Sequence, residues 1–139
     1  MSALSAKRDV RRQPGEVLSF PVEESTKIYE GALVSVNAAG YLVNATDAAN
    51  DLFIGVADET ADNSSGADGA IECKVRIGGV IDVASAATLS IANVGDPVYV
   101  ADNQTIDLAA NLTNDVLVGR VVNFVSANKV RVALVSPGR

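Results

Sequence analysis

The sequence predicts an all-β protein, a compact β-barrel or β-sandwich of about ten short strands preceded by an extended N-terminal arm, and three observations predict it. Short runs rich in Val, Ile and Leu recur along the chain, separated by Gly, Asn, Asp and Ser. That spacing belongs to sheet proteins and not to alternating strand and helix units. No segment carries an apolar stripe at helical spacing over three turns. The chain is 48% hydrophobic yet has only three Phe, three Tyr and no Trp, so its core must be built from small branched side chains that suit a pleated surface.

Residues 1–15, MSALSAKRDVRRQPG, show no sustained apolar period and end on Pro14-Gly15, a pair that punctuates chain direction. They are read as an extended basic arm, with residues 16–139 as a single β domain. The expected strands are Glu16–Val22, Ala32–Val36, Tyr41–Val43, Leu52–Ala57, Ala70–Ile77, Val80–Val83, Val98–Ala101, Thr105–Leu108, Val116–Val125 and Lys129–Val135. The last two form the strongest local signal. Ser126-Ala127-Asn128 joins them as a short hairpin connection, and Val130 and Val132 alternate with Lys129 and Arg131, one face for the core and one for water. Residues 84–92 and 108–114 have room for a turn or two of helix and no more.

Sliding the chain over itself by 64 residues lays Gly31-Ala-Leu-Val-Ser-Val-Asn on Gly95-Asp-Pro-Val-Tyr-Val-Ala, and Ile54-Gly55-Val56 on Val118-Gly119-Arg120. A hairpin-plus-strand unit used twice explains this register. Two unrelated Gly-initiated hairpins explain it equally, and both readings give the same fold class.

Charge is divided unevenly. Through Gly15, Lys7, Arg8, Arg11 and Arg12 against Asp9 give +3, while the remaining seven basic and sixteen acidic residues give −9, for a total of −6. A basic arm on an acidic body suits docking on a larger partner, and the body is unsuited to holding phosphates, so no direct nucleic-acid contact is expected. No apolar run approaches the ~18–20 residues that cross a bilayer, and residues 1–15 lack a signal peptide's apolar stretch. The expected place of synthesis is the cytoplasm, with no membrane partner.

Catalytic candidates are scarce. The chain has no histidine and one cysteine, which removes histidine bases, histidine ligands, zinc fingers and dithiol redox motifs. Cys73 alternates with Glu72 and Lys74 on the side of Ile71 and Val75, which predicts a buried thiol and not a nucleophile. The acidic stretch Ala57–Gly69 offers Asp58, Glu59, Asp62 and Asp68 as oxygen ligands for calcium. Its spacing does not match a calcium loop, so an exposed inter-strand loop is the expected structure. Gly78-Gly79 lies between strands with no helix to follow and reads as a bulge or bend. No enzyme activity, cofactor or metal is expected.

An ordered set of phrases then resembles the head-decoration, or capsid cement, proteins of tailed bacteriophages and prophages. The phrases are the basic arm, Phe20-Pro21-Val22, Lys27-Ile28-Tyr29-Glu30-Gly31-Ala32-Leu33-Val34, Ala39-Gly40-Tyr41-Leu42, Ile54-Gly55-Val56-Ala57, Asp62-Asn63 with Gly66-Ala67-Asp68-Gly69, Gly95-Asp96-Pro97-Val98-Tyr99-Val100 and Val118-Gly119. The resemblance implies a β-barrel or β-sandwich on the outer surface of the virion capsid, commonly a homotrimer, that clamps neighbouring major capsid protein subunits and stabilises the head. The contact candidates are Lys7, Arg8, Arg11, Arg12, Pro14 and Phe20. The alternatives are a tail or head–tail connector component, or a carbohydrate-binding or adhesin module; the absence of Trp weakens the last.

Overall fold

The computed structural model describes residues 16–135. Among them are twelve strands and two short 3-10 turns, at Ile91–Asn93 and Ala109–Asn111. The strands are β1 (Val17–Pro21), β2 (Thr26–Ile28), β3 (Leu33–Val36), β4 (Leu42–Asn44), β5 (Leu52–Ala57), β6 (Ala61–Asn63), β7 (Glu72–Arg76), β8 (Val80–Ser85), β9 (Pro97–Val100), β10 (Thr105–Asp107), β11 (Leu117–Ser126) and β12 (Lys129–Leu134). The all-β expectation is met, with β2 and β6 added to the strands read from the sequence. The expected arm lies outside the described residues.

β6 corrects the reading of Ala57–Gly69 as an exposed loop. It pairs antiparallel with β2 through Thr26–Asn63, Lys27–Asp62 and Ile28–Ala61. The buried Asn63 amide holds the stretch down, its Nδ2 donating to the carbonyls of Val22, Glu23 and Ala67. The carbonyls of Val22 and Ala67 also accept the N–H groups of Gly69 and Ala70, so the amide ties together a turn whose backbone is already bonded and gives the Glu23 carbonyl its donor.

The sheets fall into two halves of one topology. In the first, the order is β1-β7-β5-β3-β4, and an isolated parallel bridge between Val22 and Leu42 brings the two edges together. In the second, the order β10-β8-β12-β11-β9 closes into a barrel, with β10 parallel to β8 through Thr105–Ala84 and Ile106–Ser85. Thus β1, β3, β4, β5 and β7 correspond to β8, β9, β10, β11 and β12. The correspondence reaches single bonds. Gly31 N–H donates to Ala57 O and Ala57 N–H to Ala32 O; at positions 64 higher, Gly95 N–H donates to Val121 O and Val121 N–H to Asp96 O. Asn37 N–H to Tyr41 O is repeated as Ala101 N–H to Thr105 O. Gly31 and Gly95 hold this turn at φ of 89° and 97°, a region costly for residues with a Cβ.

Gly55 and Gly119 explain the second glycine register. A Cβ on Gly55 would stand 2.2 Å from Arg76 O, and one on Gly119 would stand 2.0 Å from Ala133 O. Both glycines let the next strand pass at backbone contact.

The core is in two clusters. Val22, Ile28, Val34, Leu42, Cys73 and Val75 are fully buried in the first; Val98, Val100, Ile106, Val118, Val130 and Val132 are fully buried in the second. The halves meet asymmetrically. Leu33, Ala45 and Phe53 of the first half belong to the second cluster, with Val56 packed against it, whereas every member of the first cluster is from the first half. This is why β3 is buried on both faces. Polar bonds frame the joint: Leu33 N–H donates to Asn103 O, and the Asp47 carboxylate accepts Thr113 N–H at 2.8 Å and Asn114 N–H at 2.9 Å. The chain crosses between halves through Gly78-Gly79, both at positive φ, the expected bend.

Candidate functional site

The described residues begin at Glu16, and the surface around that point is the first candidate. An open depression of about 500 Å³ is lined by Glu16, Val17, Arg76, Ile77, Gly78 and Gly79. It lies where β1 begins and where the chain passes between halves. Val17 is exposed there, and Leu18, on the other face of β1, is exposed as well. Phe20 is half-buried, opposite Cys73 in the β1–β7 pairing, and packs against the first cluster. Lys7, Arg8, Arg11, Arg12 and Pro14 lie outside the described residues, so only Phe20 among the contact candidates has a position.

A second candidate surface lies at the far end of β11. Ile91 is 76% exposed, and Val94, Val122 and Val125 are exposed with it. Leu89 N–H donates to Ala127 O and Gly95 N–H to Val121 O, so the segment holding Ile91 and Val94 runs beside residues 121–127. The register of β11 on β12 shifts between Val121 and Asn123 and again between Phe124 and Ser126. Such bulges re-aim side chains, and here Val122 and Val125 are left exposed. Residues 83–95 and 121–128 contain no charged side chain. The sequence reading missed this face, because Val122 and Val125 look like core residues until the bulges are seen.

The acidic stretch spends its carboxylates separately. Asp58 accepts from Arg76 at 2.8 Å, Glu59 from Lys74 N–H, Asp62 from the Ser64 hydroxyl and N–H, and Asp68 from Glu24 N–H. The bonds from Ser64, with Lys27 nearby, hold the Asp62 carboxyl below its usual range. Cys73 is buried, as expected, and burial, aided by the Glu59 and Asp58 carboxylates, pushes its thiol up to about 11. At neutral pH it is a protonated core group and a poor nucleophile.

The arrangement of the described residues is thus a double β body with exposed apolar patches. A model of the family described as phage cement protein matches residues 12–136, which covers every described residue. The chain belongs to the phage cement protein family. Comparison with curated proteins and with solved structures finds no match. Family membership gives this cement protein a structural role associated with the phage capsid, in the virion. Among its described residues no helix is long and apolar enough to cross a membrane.

Proposed function

We propose that this cement protein binds the outside of the capsid shell, as a homotrimer, and clamps neighbouring major capsid protein subunits without enzymatic activity. The observation that carries the reading is the family match over residues 12–136, which includes part of the arm as well as the body. The body suits the task physically. Closed sheets resist shear and leave few strand edges to aggregate. The exposed Ile91, Val94, Val122 and Val125 supply apolar area of the kind that marks protein contacts. Lys7, Arg8, Arg11 and Arg12 supply charge for steering the arm onto an acidic or carbonyl-rich groove.

The test is removal of residues 1–15, followed by binding to undecorated heads and electron microscopy. The expected result is a folded body with sharply weakened attachment. Neutralising the four basic residues together is expected to weaken binding less, and in a salt-sensitive way. A truncated protein that decorates heads with unchanged affinity refutes the clamp, and density on tails or connectors in place of shells refutes the location.

A further inference from the structure

The joint between the halves is one-sided, and a one-sided contact between two like units leaves each unit with one unused face. The first half presents a donor face made by Leu33, Ala45, Phe53 and Val56, which enters the second core. The second half receives it at the mouth of its barrel. There Leu33 and Val56 lie across a shared cleft of about 250 Å³ from Ile81, Val83 and Gln104.

The repeat locates the unused faces. The offset of 64 within β3 to β5 carries Phe53 onto Leu117 and Val56 onto Arg120. The pairing of β1 with β7 and of β8 with β12, set in register by Gly55 and Gly119, carries Leu18 onto Ile81 and Val17 onto Val80. A shared bond confirms that second register: Ile77 N–H donates to Glu16 O, and Leu134 N–H to Gly79 O. Phe53, on the used donor face, is 1% exposed, while its counterpart Leu117 is 37% exposed. Ile81, at the used mouth, is half-buried and packed, while its counterpart Leu18 is 36% exposed. The chain therefore carries an open donor face, Leu117 beside Arg120, on its second half and an open apolar mouth on its first.

We infer that copies of this chain associate head to tail, the Leu117 face of one copy seating on the Leu18 mouth of the next and repeating between chains the contact made within each. A contact between two different faces of like units propagates, and gives rings where the rotation closes. The charges agree, because Arg120 is exposed on the donor face and Glu16 is exposed at the rim of the mouth. The contact between chains is weaker than the one inside. Asn111 stands where Asp47 anchors the internal joint, and its side chain already donates to Asp107. The inference rests on the homotrimer of the proposed function, whose contact faces it names; attachment to the shell is separate, since both partners here are copies of this chain.

Sedimentation of the full chain over a wide concentration range tests it, with Leu18→Asp and Leu117→Asp as single variants. The wild type is expected to form species larger than a dimer. Each variant is expected to lose them, raising the concentration needed for association by tenfold or more. An equimolar mixture of the two variants keeps one intact contact and is expected to give dimers and nothing larger. Circular dichroism checks folding, and Arg120→Glu, at an exposed position, is the second donor-face variant and is expected to weaken association in the same direction. A wild type that stays monomeric to millimolar concentration overturns the inference. So do variants that associate normally, a mixture that yields no dimer, or variants that keep self-association and lose only binding to heads, which would assign these faces to the shell.

Discussion

Adding one methyl group at Gly55 or Gly119 probes the closest approaches in both halves. The Cβ would stand 2.2 Å from Arg76 O in the first case and 2.0 Å from Ala133 O in the second, with Val75 Cγ1 at 3.1 Å and Val132 Cγ1 at 3.0 Å beside them. Because the obstacle is backbone, no side-chain rotation relieves the clash. Neighbouring strands about 4.8 Å apart must separate by more than about 1 Å, which stretches ladder bonds on both sides. Overpacking typically costs about 1–3 kcal/mol, and a backbone obstacle puts both variants at the upper end, about 3 kcal/mol each. For a chain of this size that lowers the melting temperature by on the order of 10 °C. Urea titration followed by circular dichroism of Gly55→Ala and Gly119→Ala measures both. A loss below about 0.5 kcal/mol in either would refute the close strand passage at that glycine, and with it the equivalence of the halves.

Phe53→Ala removes the largest side chain at the joint and should cost about 3–5 kcal/mol in the same assay. Ser35→Ala should be neutral or stabilising by about 1 kcal/mol, because the buried Ser35 hydroxyl has no hydrogen-bond partner among the described residues. Cys73 should react with a thiol reagent only as fast as the protein unfolds. Its folded pKa of about 11 lies above the unfolded value near 8.5, so its contribution to stability is complete below that value and declines as pH rises toward 11. Asp47 works in the opposite direction. The N–H groups of Thr113 and Asn114 hold its carboxyl below the usual range, so its contribution is present above the unfolded pKa of about 4 and is lost as pH falls through the lowered folded value. Asp47→Asn should therefore lower stability at neutral pH and flatten the acid limb of the stability curve, read by thermal melts across pH.

Much of this architecture was legible because it rests on periodicity and glycine. Alternation about Cys73 and along β12 located buried faces, since a strand's side chains change sides at every residue. The glycines 64 positions apart signalled the repeat, since turn and close-approach positions reject other residues. β2 and β6 were hidden, being three residues long with one charged side chain each, and held by an asparagine whose amide reads as turn chemistry. The one-sided joint was also hidden. Phe53 and Leu117 are both large and apolar, and nothing local distinguishes a covered side chain from an uncovered one. The contact candidates from Lys7 to Pro14 rested on charge alone, and only Phe20 has a described environment.

The passage through Gly78-Gly79 also sets an order in time. Every sheet pairing of the first half lies within residues 17–76 and every one of the second within 80–134. A ribosome adding about 5–20 residues per second needs several seconds to make the second half. Small sheet domains fold in about milliseconds to seconds. The first half is thus able to close while the second is still being made, holding Leu33 and Phe53 uncovered until their own barrel arrives. On a crowded polysome the nearest mouth that fits them belongs to the same chain, because its tether keeps it at high local concentration. The short glycine link thus favours the chain's own second half over a neighbour's by proximity alone.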